Sequence, residues 1–208
     1  MERPILFNTD MVKAILDGRK TQTRRIAKTI PAETHLVEKI SKGEFEARWG
    51  GYQPDTQTFV DGACIVKPPY VIGDTLWVRE TWGDYDGEVQ YYLYRADYPD
   101  GAKTFEWPEF DEFGEKIICD LPKWHPSIHM PRAAARIFLK VTDVRVERLQ
   151  DITHHGVINE GIDGDITANC KQGDRISPRN EFINLWDSIY NNWQDNPWVW
   201  VIEFERMV

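Results

Sequence analysis

The sequence predicts an α+β fold: a small β-barrel flanked by short helices, with long loop insertions. Three observations lead there. Four segments carry the apolar–polar alternation of strands, and only three, all short, carry helical spacing. Two stretches, at about residues 27–72 and 97–131, are broken by turn formers and hold neither period for long. A chain with few helices and several long strands hides its strand faces by packing helices on a sheet or curling the sheet into a barrel.

The elements follow in order. NTDMVKAILDGRK (8–20) reads as a helix: Asn8, Thr9 or Asp10 caps it, Met11, Ala14 and Ile15 form its apolar stripe, and Gly18 stops it. Lys20 to Ile26 leave that stop as an extended segment. From Pro31 to Pro69 the breakers Gly50-Gly51 and Pro68-Pro69 predict loops and short strands. GDTLWVRETW (73–82) is a turn and a strand with Leu76, Val78 and Glu80 on one face, and Trp77, Arg79 and Thr81 on the other. VQYYLYRA (89–96) is a second strand, and 97–131 is an excursion without regular structure. ARIFLKVTDVRVERL (135–149) is a long strand bent or bulged near Thr142-Asp143. DITHHGVINEGI (151–162) is a short helix capped by Asp151 or Thr153 and stopped by Gly161. SPRNEFINLWDSIY (177–190) is the clearest helix, with Ser177 as cap, Pro178 in the first turn, and Phe182, Leu185, Trp186 and Ile189 on one face. PWVWVIEFERM (197–207) closes the chain as a strand whose Trp198 and Trp200 pack on one face.

At 208 residues, 41% hydrophobic and 28% charged, the chain fits one domain, 1–208, with both insertions inside it. No apolar run reaches the roughly 20 residues of a membrane span, and the first residues lack a signal-peptide layout, so the expected location is cytoplasmic. Cys64, Cys119 and Cys170 are odd in number and far apart, as expected of reduced thiols. They and the scattered histidines show no metal-ligand spacing, so no metal or other cofactor is expected. No phosphate-cradling or dinucleotide-binding glycine motif is present, which argues against nucleotide hydrolysis and redox chemistry. Most of the nine tryptophans are expected to be packing residues.

Charge marks one place. Between Met11 and Lys28, six cations face only Asp17, a balance of +5 in a chain of net charge −9. Such contrast predicts a local anion site on a molecule whose overall field repels polyanions. In an extended segment, Thr21, Thr23 and Arg25 share one face while Lys20, Gln22 and Arg24 share the other. The turn lets Lys20 swing towards Thr23, and a lysine beside a threonine makes a nucleophile pair if burial and nearby arginines lower the lysine pKa. A solvated basic turn is the competing reading.

MVKAILDGRKTQTRR, GDTLWVRETW and the terminal VWVIEF resemble an ASCH domain (activating-signal cointegrator homology). This group lies within the PUA-like barrels, many of which bind RNA. WHPSIHMPRAAARI, VRVERLQDIT, EGI and LWDSIY are similar to the longer ASCH proteins of phages and prophages. Small bacterial members hydrolyse N4-acetylcytidine to cytidine and acetate. Their pattern is a lysine and a threonine three apart in G-R-K-T-x-T, with a glutamate in a helix after a long strand. The resemblance puts these on Lys20, Thr23 and Glu160, and implies a proton acceptor, a nucleophile and a proton donor in turn. Those residue types suit amide hydrolysis, in which one group attacks the acyl carbon and the leaving amine is protonated. This chain is longer than those enzymes, and its two insertions have no counterpart there.

Around this triad, Arg19, Arg24 and Arg25 are candidates to hold a phosphate or an oxyanion. Arg79 and Glu80 either contact the ligand at a barrel mouth or brace the sheet as an ion pair. Trp82 either stacks a base or packs in the core, and Arg132 either lines the pocket or enters the next strand. Three functions compete: an amidohydrolase acting on an acylated cytidine, a reader of RNA or a modified base without chemistry, and a phage accessory protein whose basic turn docks an acidic partner. The expected partner is a nucleoside or a short single strand of RNA, bound by a monomer with no membrane contact.

Overall fold

The computed structural model describes residues 1–53, 58–86, 90–110, 113–163 and 177–207. It is a mixed α+β structure in which strands predominate. The strands are β1 (Glu2–Leu6), β2 (Gln22–Ile26), β3 (Thr34–Ser41), β4 (Glu44–Gln53), β5 (Thr58–Val66), β6 (Thr75–Arg79), β7 (Trp82–Asp86), β8 (Gln90–Tyr94), β9 (Thr104–Phe110), β10 (Lys116–Asp120), β11 (Phe138–Arg148) and β12 (Trp198–Arg206). The helices are α1 (Thr9–Leu16), α2 (His154–Asn159) and α3 (Pro178–Ile189).

Local chemistry accounts for the helix ends. Asn8 Oδ1 accepts the Met11 N–H at 2.8 Å at the start of α1. Thr153 and Ser177 cap α2 and α3 by accepting from Gly156 and Asn180. Gly18 and Gly161 take positive φ values of 76° and 92°, a conformation that costs glycine little. The expected kink in the long strand is present, since the β11–β12 register shifts between Val141 and Asp143.

Five strands form the largest sheet, in the order β1-β6-β11-β12-β2. The others are a three-stranded sheet, β3-β4-β5, and the pairs β7-β8 and β9-β10. No closed barrel is found among the described strands. Residues 34–53 and 58–66, expected to be loops and short strands, form long antiparallel strands, and the expected irregular excursion contains the β9–β10 hairpin. Cys170 lies outside the described residues.

The chain divides into two compact units: Met1–Arg3 with Ala14–Leu76 and Phe138–Val208, and Pro4–Lys13 with Trp77–Ile137. Their boundary falls within β1, α1 and β6. In the first unit, Leu149, Ile152, Val157, Phe182, Trp186, Val199 and Val201 form a buried core that joins α2 and α3 to one face of β12. That core fixes α2 over the sheet. In the second unit, Trp82, Met130 and Ala134 form a smaller core against Tyr92 and Tyr94.

The three-stranded sheet depends on one missing side chain. Gly62 faces Trp49 across β4–β5, and a Cβ there would lie 2.3 Å from the indole. Gly62→Ala is therefore expected to lower stability by about 1–3 kcal/mol through overpacking. A urea midpoint equal to wild type, at unchanged m-value, counts against that packing.

Candidate active site

Two glycine turns build the site. After Gly18 the chain turns so tightly that the N–H groups of Arg19 and Lys20 both donate to the Ala14 carbonyl, at 2.9 and 3.0 Å. After α2, Gly161 makes the second turn. A Cβ there would sit 2.8 Å from the Ala14 Cβ and 3.0 Å from the Lys20 Cβ. Lys20 and Glu160 meet as a bridge between these turns, and the Thr21 N–H donates to Asn159 O at 2.9 Å. Only glycine allows this approach at position 161.

The side chains meet as closely as the backbones. Lys20 Nζ donates to Glu160 Oε2 at 2.8 Å and to Glu160 O at 2.7 Å, with the lysine side chain fully buried and that of the glutamate 5% exposed. Arg24, also buried, donates to Glu160 Oε1 at 3.1 Å and to Glu147 Oε2 at 2.9 Å. Arg145 continues the chain, reaching Glu147 Oε1 at 2.6 Å and also Glu203. Cations and carboxylates thus alternate from the buried lysine outward. Gln22 donates to Gly156 O at 2.8 Å, tying the same face of β2 to α2. A cavity of about 140 Å³ opens here, lined by Gln22, Arg24, Arg145, Glu147, His155 and Asn159 among others.

Burial in this setting lowers the Lys20 pKa below the usual lysine range; Glu160 opposes the shift, and Arg25 and Arg24 add to it. Burial alone would raise the Glu147 carboxyl, but bonds from Arg145 and Arg24 outweigh it and hold the carboxyl low. A lowered carboxylate pKa contributes stability that is complete above the unfolded value of about 4.3 and fades as pH falls through the folded value. The stability difference between wild type and Glu147→Gln should therefore be full near neutrality and shrink in acid. Urea titrations across that range check it, and a gap that widens in acid contradicts it.

The structure brings Lys20, Arg24 and Glu160 together, although 140 positions separate the lysine from the glutamate. Thr23 is buried opposite Ile202 in the β2–β12 register, on the strand face away from Gln22 and Arg24. Arg25, half-buried, shares that face beside Trp200. Arg19 donates to Gly161 O at 2.8 Å and pairs with Asp17 at 2.9 Å.

The remaining candidates belong to the second unit. Glu80 is buried and held by Arg136 through two bonds, at 2.9 and 3.0 Å, with Arg136 over the Tyr94 ring. Burial raises its carboxyl pKa and Arg136 opposes the rise. Glu80 thus sits in an ion pair whose partner is Arg136 and not its neighbour Arg79. Arg79 donates to Met130 O at 3.1 Å, Trp82 is buried in the small core, and Arg132 is exposed in a short turn.

Glu147, Arg145 and Glu203 carry no site reading in the sequence, and Gln22 only a place on the face of Lys20 and Arg24. A signal was present: Arg145 and Glu147 alternate along a strand, which puts two opposite charges on one face. Among the described residues, no three His, Cys, Asp or Glu side chains are grouped to hold a metal ion, and no helix is long and apolar enough to cross a membrane. Comparison with family models, curated proteins and solved structures finds no match.

Proposed function

We propose that this chain is an ASCH-type protein of PUA-like ancestry that hydrolyses the amide of N4-acetylcytidine or a related acylated base. One observation carries the reading: a lysine and a glutamate from distant segments meet as a buried pair at 2.8 Å. Three features of that pair suit the chemistry. The burial that depresses the lysine eases the loss of its proton. Moving the proton from Lys20 Nζ to Glu160 Oε2 makes Lys20 a base and Glu160 an acid in one step. Arg24 keeps Glu160 in place during the exchange.

The proposed reaction balances on these groups. Thr23 Oγ1 attacks the acyl carbon as Lys20 takes its proton, and Glu160 protonates N4 of the departing cytosine. Water then cleaves the threonine ester, releasing acetate. Thr23 itself lies on β2, the last strand of its sheet, buried opposite Ile202. An extended polyanion suits this site less well than a nucleoside, because Lys20 and Arg24 are buried and already bonded to carboxylates.

Incubating the purified chain with N4-acetylcytidine and separating products is the direct test. Equal amounts of cytidine and acetate are expected, and Lys20→Met should release none. If the wild type also releases none, the hydrolase reading falls. A modified-base reader without chemistry is the second reading, favoured by the position of Thr23 on the strand face opposite Gln22 and Arg24.

A further inference from the structure

The chain's negative charge is concentrated in one segment. From Asp84 to Asp120 the sequence holds eleven carboxylates against three cations, a balance of −8 in a chain of net charge −9. Two of those cations are answered within the segment, Arg95 by Asp100 and Lys116 by Glu106. The same segment contributes most of the β7–β8 and β9–β10 hairpins of the second unit, and with them a cluster of rings. Tyr85 and Tyr91 stand opposite each other in the β7–β8 register. The Trp107 indole, from β9, packs against both, with ring centroids 5.0 and 5.3 Å away. Buried Phe105 lies 5.9 Å from Trp107 and 6.1 Å from Tyr85, which anchors the cluster, while Tyr85 and Tyr91 each stay 37% exposed. Trp107, Pro108 and Glu109 face the single residue Ile117 between two ladder pairs, so β9 bulges here and leaves Glu109 exposed two residues from the indole.

We infer that this face, around Tyr85, Tyr91 and Trp107, docks an arginine-bearing segment of a partner protein. Ring faces are electron-rich and attract cations, and an acid-rich surface draws the same cations in from a distance. The unit already contains one instance of this chemistry: Arg136 lies 3.9 Å from the centre of the Tyr94 ring while Glu80 and Asp97 answer its charge. At Tyr85 and Tyr91 the rings and the acidic surroundings are present, and the guanidinium is to come from outside. The chain's own basic run cannot supply it, because Arg19, Lys20 and Arg24 are paired with Asp17, Glu160 and Glu147. A phosphate backbone could also stack its bases on these rings, but the field that favours arginine repels it. Arginine is preferred to lysine, since its planar group is more weakly hydrated and lies flat on a ring. The docking is independent of the proposed hydrolysis, whose residues belong to the first unit.

Fluorescence anisotropy of labelled, end-blocked octa-arginine and octa-lysine peptides, titrated with the whole chain at low and high salt, tests the inference. Both peptides should weaken as salt rises, but arginine should keep an advantage of at least ~3-fold, because stacking on a ring is screened less than charge attraction. Tyr85→Leu/Tyr91→Leu keeps apolar side chains and loses both rings. It should weaken the arginine peptide ~5–10-fold and erase its advantage, the range that two exposed rings support. Tyr85→Phe/Tyr91→Phe keeps the rings and should bind as wild type does, which separates the rings from any loss of folding in the leucine variant. Glu109→Gln should weaken both peptides about twofold at low salt and neither at high salt. Equal affinity of wild type for the two peptides, no binding of either, or wild-type affinity in the leucine variant overturns the inference. So does a single-stranded oligouridylate that displaces the arginine peptide and itself binds the leucine variant more weakly, since the face would then be a stacking platform for nucleic acid.

Discussion

Glu160→Ala should cost about 3–5 kcal/mol of stability, the penalty for stranding a buried charge partner. Glu160 is the carboxylate that meets both Lys20 and Arg24, and both cations are buried with it. Its removal leaves Arg24 with Glu147 but takes the carboxylate away from the Lys20 ammonium, which is fully buried. Water cannot readily compensate at that depth. Against a typical total of about 5–15 kcal/mol, the loss puts folding itself at risk. Lys20→Met should cost less, because Glu160 keeps Arg24 and the new side chain is apolar and unbranched. In the double variant Lys20→Met/Glu160→Ala neither member of the Lys20–Glu160 pair remains, and stability should recover part of the way. A double-mutant cycle in urea measures the coupling directly. A cost below about 1 kcal/mol for Glu160→Ala would mean that solvent reaches the pair and that the buried ion pair is not the centre of the fold here.

How far the fold could be read in advance depended on whether an element buries one face. α3 is legible because Ser177 caps it and Phe182 and Trp186 recur on its buried side. β6 is legible because Leu76 and Val78 alternate with more exposed neighbours. β3 is not: after Thr34 its residues are exposed or half-buried, so there was no apolar period to find. The β9–β10 hairpin is little easier: β10 is half-buried on one face only, and its exposed face carries the apolar Ile118. At the site, local rules gave the two glycine turns and the shared face of Lys20, Gln22 and Arg24. They say nothing of a partner 140 residues away, and Glu160 was named only through a family resemblance. Charge counting is incomplete for a related reason. A run of +5 is a surface property only if no carboxylates fold onto it, and Glu147 and Glu160 do.

Thr23→Ala should lower kcat at least ~100-fold while leaving ligand affinity within about twofold, if Thr23 is the nucleophile. The substitution removes no charge, and the residue sits in a β2 strand held by β12 on its neighbouring edge, so the pocket should survive. Thr23→Ser retains a hydroxyl at the same carbon and should restore most of the rate, separating chemistry from packing. The comparison with Lys20→Met is informative because the two act at different stages. Lys20→Met removes both the base and one of the charges Glu160 answers, so both the rate and the pH profile should change. Loss of the Thr23 hydroxyl should scale the rate with the profile unchanged, since Lys20 and Glu160 still exchange their proton. Full turnover by Thr23→Ala would transfer the attack to a water molecule activated by the Lys20–Glu160 pair. The strand alternation that turns Thr23 away from Gln22 and Arg24 would then be its explanation: Thr23 pairs with Ile202 on the opposite face, and the cavity face carries the reaction.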